Sequence, residues 1–494
     1  MCVTGQTKVN DMMDTIDSIL RAFRPCFTRE AAFSWFLIVV FSFMLRTDSL
    51  GVSSVIRDLL LPASCYLPLL HFFRANSWSL DVIREKWCEI VANRANLMRC
   101  NGKAILVGDG VKQSKEGLRM PGVTKLAQES GTVSKPDYIF GHMFGSVGVI
   151  LQGECLKKFC LPLFITIQQG LWFLHLWNGM DKEPPGSHVE QVIDCAGRAA
   201  RVIGTSYLVL DRYFTTVKAL LRLERFKDEH GSLLLRIVTR AKSNFVAYEQ
   251  PVVVEGKRGR KPRKGAAVHL KDLFDTELFQ RGQAMMYGRM EEVEYCHKIL
   301  LWGKNLYQPL LFVLVKWKGK TAIYVCTDLE LDPIKVIELY AVRFSIEETF
   351  REFKQRLFGF AYHFWCKHLP KLNRFAKSGE PSSLQKVTLM DDDERRLEAE
   401  TAIRRTVKAI EGYVLFASIA MGILQMLALD QKIALEAVKA RYLRTPSKKT
   451  PSEATIMYCL VRKLTGVLLT RPDLSIVAEI MRKRMSNPDG EVAA

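Results

Sequence analysis

"AILVGDGV", residues 104–111, is an apolar strand pattern that runs into a charge. A carboxylate at the end of such a strand is costly unless it is solvated, paired or bound to a metal, so Asp109 asks for a reason. The pattern returns in "YLVLDRYF", residues 207–214, where Asp211 follows the apolar run. Between them lie two further apolar stretches, "MFGSVGVILQ" and "LPLFITI", and the helix-patterned "SHVEQVIDCAGRAARVIG". Three strands, a helix and a fourth strand predict an α/β core. A helix over 215–227 and the strand "LLLRIVT" extend it. In mixed or parallel sheets ligands collect just outside strand ends, so the two aspartates converge if their strands are neighbours. The alternative is that each simply begins a turn, as Asp often does.

A third carboxylate lies in "YAVRFSIEETFREFK", residues 340–354. Read as one helix, it puts Tyr340, Arg343, Glu347 and Lys354 within an arc of roughly 60°. Val342, Ile346, Phe350 and Phe353 form an apolar seam beside that face. Solvated helices carry similar i,i+4 ion pairs, so the polar face alone does not separate chemistry from surface decoration. Glu348 is the neighbouring carboxylate and lies roughly 100° round the helix. Three convergent carboxylates hold two divalent ions about 3.5–4 Å apart, an arrangement that serves phosphodiester transfer. Mg²⁺ suits oxygen-only ligands. Arg343 and Lys354 would then meet phosphates, one as a fork and the other as a point charge.

The chain as a whole favours a polyanionic partner. Its 71 Lys+Arg against 52 Asp+Glu give a net charge of +19 over 494 residues. That balance suits nucleic acid or an anionic surface, and the length suits several domains. A membrane span needs about 20 apolar residues. The run 31–45 falls short and is closed by Arg46, and 413–429 is interrupted by Ser418 and Gln425, so both are expected as buried helices. The N-terminus lacks the basic-then-apolar layout of a signal peptide. The 12 cysteines are scattered, with only Cys155 and Cys160 near zinc-ligand spacing, so reduced thiols are expected.

The spacing of Tyr340, Arg343, Glu347 and Lys354 matches the Tyr-Arg-Glu-Lys signature of the DDE transposases of bacterial insertion sequences. Asp109 in "VGDGVKQSKEG" and Asp211 in "VLDRYF" resemble that family's two aspartates. Their separations are 211 − 109 = 102 and 347 − 211 = 136. The resemblance covers about residues 103–360 and implies an RNase H-like catalytic core interrupted by a β-rich insertion. It implies a helical N-terminal DNA-binding domain (1–102), the first part of the core (103–240), the insertion (241–331), the second part with the glutamate helix (332–430) and a C-terminal helical region (431–494).

The activity so implied is cut-and-paste transposition. Metal-dependent cleavage at the ends of a mobile element precedes strand transfer, with Asp109, Asp211 and Glu347 binding two Mg²⁺, for which Mn²⁺ can substitute. The implied partners are double-stranded DNA, at the element's inverted ends and the target, and a second copy of the chain when paired ends are bound. No membrane contact is expected, and the location is cytoplasmic, on the nucleoid if the source is bacterial. The alternative is a domesticated descendant that binds DNA ends without cutting.

Further basic residues extend the DNA expectation. "KRGRKPRKG", residues 257–265, is a loop carrying Lys257, Arg258, Arg260, Lys261, Arg263 and Lys264, and its Arg-Gly-Arg core resembles an AT-hook. Arg240, Lys242 and Asn244 follow the last core strand and are placed either along the same channel or simply in solvent. His142 is read as a satisfied strand histidine in preference to a substrate contact. Trp302, Trp317 and Trp365 are candidates for stacking on an unpaired base, with core packing as the plainer reading. Asp391, Asp392 and Asp393 are read as a helix cap in preference to a metal cluster.

Overall fold

The computed structural model describes residues 12–128, 136–153, 157–177, 185–252, 260–377, 379–442 and 450–485. Its centre is one large mixed sheet. Five strands make the catalytic-type core: β1 (Lys103–Ser114), β2 (Tyr138–Gln152), β3 (Lys158–Ile167), β4 (Ser206–Val209) and β5 (Leu235–Arg240). β1, β2 and β3 form an antiparallel meander, with Leu106 opposite Val149 and Phe144 opposite Ile167. β4 then joins β1 in parallel and β5 joins β4 in parallel, giving the order β3-β2-β1-β4-β5. A mixed sheet of this kind with a helical crossover is consistent with the RNase H-like core that the resemblance implies.

The reversal from antiparallel to parallel pairing requires a crossover between β3 and β4, which the helix His188–Ile203 supplies. Ser187 and Glu190 start it with a reciprocal capping box, and Gly204 ends it at φ +96°, a conformation that favours glycine. This helix packs closely on the sheet. Gly108 lies under Val192 and Leu210, where a side chain would not fit.

The β-rich stretch supplies β6 (Gln280–Met286), β7 (Arg289–Trp302), β8 (Gln308–Trp317) and β9 (Lys320–Cys326). The "KGK" turn closes β8 to β9 with Trp317 opposite Lys320, and Lys318 and Gly319 both have positive φ, as a two-residue hairpin requires. β9 pairs antiparallel with β5, Val325 opposite Thr239. The insertion's strands therefore continue the core sheet.

Helices from both ends of the chain close the core. α1 (Met12–Arg21), α2 (Glu30–Leu45) and α3 (Leu80–Arg94) come from the N-terminal region, and the crossover helix is α4. α5 (Pro333–Val342) and α6 (Phe344–Gln355) follow the insertion, and α7 (Asp393–Leu429), α8 (Glu453–Thr470) and α9 (Ser475–Met485) lie further along the chain. α2 is buried on every side from Ala32 to Leu45, which explains an apolar run too short to span a bilayer. α7 is long and apolar enough to cross a membrane, yet 89% of its most apolar window is buried inside the protein. Asp392 caps it by accepting the Arg395 N–H, so that acidic run acts as a helix start.

An aromatic cluster joins these helices: Phe36, Phe72, Phe73 and Trp78 surround Phe416. Arg84 of α3 pairs with Glu411 of α7 at 2.9 Å, and the other oxygen of Glu411 accepts the Ile167 N–H at the end of β3. The ten cysteines among the described residues are free thiols; Cys160 is buried in β3, and Cys155 lies outside the described residues.

Trp87 sits where N-terminal helix, sheet and α7 meet. It is fully buried, donates its indole N–H to the Pro162 carbonyl and covers Gly422. Trp87→Ala is expected to destabilise the protein by about 3–5 kcal/mol, seen as a lowered urea midpoint.

Candidate active site

The site begins with strand register. Ala104 pairs with Ser206 and Val107 with Val209, so the same offset brings Asp109 level with Asp211 across the β1–β4 pair. β4 ends at Val209, while β1 continues against β2 with Asp109 opposite Ser146. Asp211 thus lies just past a strand end, where it opens the turn Arg212–Phe214 and its carbonyl accepts the Thr239 hydroxyl at 3.0 Å. Gly108 and Leu210 face α4, so by strand alternation the aspartates, one residue on, face the opposite side.

The third carboxylate arrives from α6, and here the structure differs from the single helix expected over 340–354. α5 and α6 are separate, with Arg343 at the junction. The backbone stays helical at Arg343, but Arg343 N–H bonds the Tyr340 carbonyl and Ile346 N–H bonds the Arg343 carbonyl, a tightened three-residue turn. The two helices serve different neighbours. α5 docks on the insertion, where Glu338 accepts the Met285 N–H, and α6 docks on β3, where Thr349 donates to the Cys160 carbonyl.

Arg343 organises the site. Its Nη1 lies 3.1 Å from Asp109 Oδ2 and its Nη2 2.5 Å from Glu347 Oε1. The Tyr340 hydroxyl lies 3.4 Å from Asp211 Oδ1, and its ring packs on Tyr324 at 4.7 Å. Tyr340, Arg343, Glu347, Asp109 and Asp211 are therefore brought together. Glu348 is not: it faces a separate cavity with Lys157, Lys158 and Ser345. Lys354 lies in the last turn of α6, about two turns beyond Glu347, and is half-buried.

Electrostatics follow from burial. Asp109 is pushed up to about 6, chiefly by burial; Arg343 and the Gly110 N–H oppose this, while Asp211 and Glu347 add to it. Burial lifts the Tyr340 phenol to about 12, so it stays protonated. Burial also works against the charge on Arg343, but Asp109, Tyr340 and Glu347 outweigh it and hold the guanidinium above its ordinary value.

The three carboxylates supply only oxygen donors, the chemistry that hard divalent cations such as Mg²⁺ and Mn²⁺ take. They are not closed on a common point: among the described residues no three His, Cys, Asp or Glu side chains are gathered around an ion-sized space. Arg343 stands between Asp109 and Glu347 instead.

The remaining expected residues are distributed around this centre. Arg240 ends β5 opposite Tyr324, with its guanidinium 3.4 Å from the Thr321 carbonyl. Arg260, Lys261, Arg263 and Lys264 are exposed, while Lys257 and Arg258 lie outside the described residues. Arg263 donates to the Asn305 carbonyl at 2.7 Å, and Lys264 lies over the Tyr248 ring at 3.9 Å. These contacts hold the loop to the insertion and do not reach the carboxylates. Trp302 stacks on Phe245, Trp317 donates to Glu291, and Trp365 is exposed.

Two kinds of residue escaped the sequence. Tyr287 and Phe344, both exposed, meet edge-on at 6.5 Å and line the cavity that Glu348 faces. Tyr287 sits at φ +51° in the β6–β7 turn before Gly288, so its only sequence signal was an aromatic in a hairpin turn. His188, at the start of α4, packs on Phe214 next to Asp211's turn, has a buried Nδ1 without a partner and is lowered to about 4 by burial. Nothing in its local sequence signals that position.

His142 is fully satisfied. Nε2 lies 2.8 Å from the Pro121 carbonyl, which can only accept, so Nδ1 accepts from the Tyr362 hydroxyl at 2.6 Å. Burial lowers its pKa from 6.5 to about 4. A lowered histidine stabilises the fold above its unfolded value, and that contribution is lost as pH falls from 6.5 through about 4. His142→Gln is accordingly expected to lose part of the acid sensitivity of the melting temperature across that window, while melting lower than the natural chain at neutral pH.

Residues 187–367 match the family model described as a transposase DDE domain. The match takes in Asp211, Tyr340, Arg343, Glu347 and Lys354, and begins after the strand that carries Asp109. No curated protein matches the chain.

Proposed function

This chain carries a transposase DDE domain, and from that premise we propose that it cuts DNA at the ends of a mobile element and joins the freed ends to a target. The observation that carries the proposal is the convergence of Asp109 and Asp211, from two parallel strands, with Glu347, linked to Asp109 through Arg343. Asp109, Asp211 and Glu347 are the residues that would hold two Mg²⁺, with Mn²⁺ able to substitute. Such ions, when bound, supply charge stabilisation for an attacking and a leaving oxygen in phosphodiester transfer.

The chain's own residues do the positioning. Arg343 offers a planar fork to a DNA phosphate, and Lys354, farther along the same helix, offers a point charge. Tyr340, held protonated, can donate to Asp211 or to a phosphate oxygen. Arg240 adds positive charge behind Tyr340, and the loop with Arg260, Lys261, Arg263 and Lys264 provides sequence-independent backbone contacts. Because two ends must be handled together, the active form is a homodimer on paired DNA ends. It works in the cytoplasm, on the nucleoid if the source is bacterial.

The decisive comparison is cleavage of a labelled element end with Mg²⁺ or Mn²⁺ by the natural chain, Glu347→Gln and Glu348→Gln. Glu347→Gln is expected to abolish cleavage and keep DNA binding, and Glu348→Gln to cut. Binding without any cleavage by the natural chain would instead establish an end-binding protein that has lost its chemistry.

The basic loop has its own test. Replacing Arg260, Lys261, Arg263 and Lys264 with Gln is expected to weaken binding to all sequences alike and to flatten the slope of log affinity against log salt by about 0.9 for each phosphate that the variant no longer neutralises. An unchanged slope removes this loop from the interface.

A further inference from the structure

Arg343 occupies the position that a cation between Asp109 and Glu347 would take. One guanidinium nitrogen lies 3.1 Å from Asp109 and another 2.5 Å from Glu347, and the side chain is 17% exposed. Asp211 is left to Tyr340. The carboxylates are thus shared out among chain residues, and among the described residues no three His, Cys, Asp or Glu side chains are gathered for an ion. An arginine in this place cannot step aside by losing its proton, since guanidinium stays charged in proteins. A divalent ion entering next to it would meet a like charge in a half-buried site, where Coulomb forces are stronger than in water.

We propose that Arg343 is an internal stand-in for the metal, and that a DNA phosphate must draw it off Asp109 and Glu347 before divalent ions load. The inference rests on the reading of the three carboxylates as the metal site and adds an order of events to it. Phosphate is a competent rival because it accepts the same two-pronged hydrogen bonding that carboxylates accept. The position of Arg343 suits such a move. It sits at the junction of α5 and α6, next to the exposed Phe344, and its second partner, Glu347, is itself 43% exposed. With Arg343 on a phosphate, Asp109 and Glu347 are left as uncompensated acceptors beside Asp211, which is the condition that raises affinity for a divalent ion. DNA-free protein is thereby kept from assembling a loaded nuclease.

The test is Mn²⁺ binding, followed by the electron paramagnetic resonance of free Mn²⁺, to full-length protein with and without a mixed-sequence DNA duplex. The Asp211→Asn protein with the same DNA serves as the blank for ions held by DNA itself. The natural chain is expected to bind Mn²⁺ at least about tenfold tighter with DNA, a factor worth about 1.4 kcal/mol. Arg343→Gln is expected to bind tightly without DNA and to gain little when DNA is added. Arg343→Lys, whose ammonium lacks the two-pronged reach, is expected to fall between them and guards against a Gln variant that does not melt cooperatively. If folded Arg343 variants bind Mn²⁺ no tighter than the natural chain without DNA, or if the natural chain binds equally with and without DNA, the stand-in role is overturned while the metal site survives. If no protein binds Mn²⁺ above the blank even with DNA, the metal-site reading fails and this proposal with it.

Discussion

The parallel pairing of β1 with β4 is the constraint on which the site depends. The pairing offset, 206 − 104 = 102, equals the separation of the aspartates, 211 − 109 = 102, so the register that buries Leu106 and Leu208 also aligns the two carboxylates. A slip of one residue would turn one aspartate toward α4 and away from the other. The slip is opposed by the close fit of α4 over Gly108, since Val192 and Leu210 occupy the space a side chain would need. β4 then stops two residues short of Asp211, which opens the notch at which ligands collect in such sheets.

Around that notch the chain balances opposing charges. Asp109 is buried enough to resist ionisation, and the Arg343 guanidinium is the main force opposing that resistance. Holding a half-buried carboxylate and guanidinium together carries a desolvation cost that their mutual attraction must offset. Such a cost comes with placing cation acceptors and anion donors within one small space. The net charge of +19 belongs to the chain as a whole, an excess that favours polyanionic partners, while this centre is rich in carboxylates.

The insertion takes part in the site through the shared sheet. β9 extends the sheet from β5, which sets Tyr324 opposite Arg240 and against the Tyr340 ring. Its β6–β7 turn delivers Tyr287 to Phe344, next to Arg343. Movement of the insertion against the core would therefore be felt at both Tyr340 and Arg343. The helices of the two chain ends brace the other side, through the Arg84–Glu411 pair and the Glu411 contact to the end of β3.

Much of this was legible in local sequence because its causes are local. The apolar runs before Asp109 and Asp211 marked strands, although only Asp211 lies past a strand end because β1 continues through Asp109 to Ser114, and the helical pattern from Ser187 marked α4. The spacing of Tyr340, Arg343 and Glu347 marked a polar face whose members do meet the aspartates. Tertiary packing decided the rest. At Arg343 the expected helix tightens into a three-residue turn, with α5 bonded to the insertion on one side and α6 to β3 on the other. It also decided that the Arg343 guanidinium takes Asp109, a residue 234 positions away, together with Glu347, because only the folded sheet brings that carboxylate within its reach. The sequence alone determined which residues can hold a cation or a phosphate, since that is a property of side-chain chemistry. Which of them hold one another in the folded chain was decided by the sheet register and helix docking, since both are long-range contacts that no local pattern encodes.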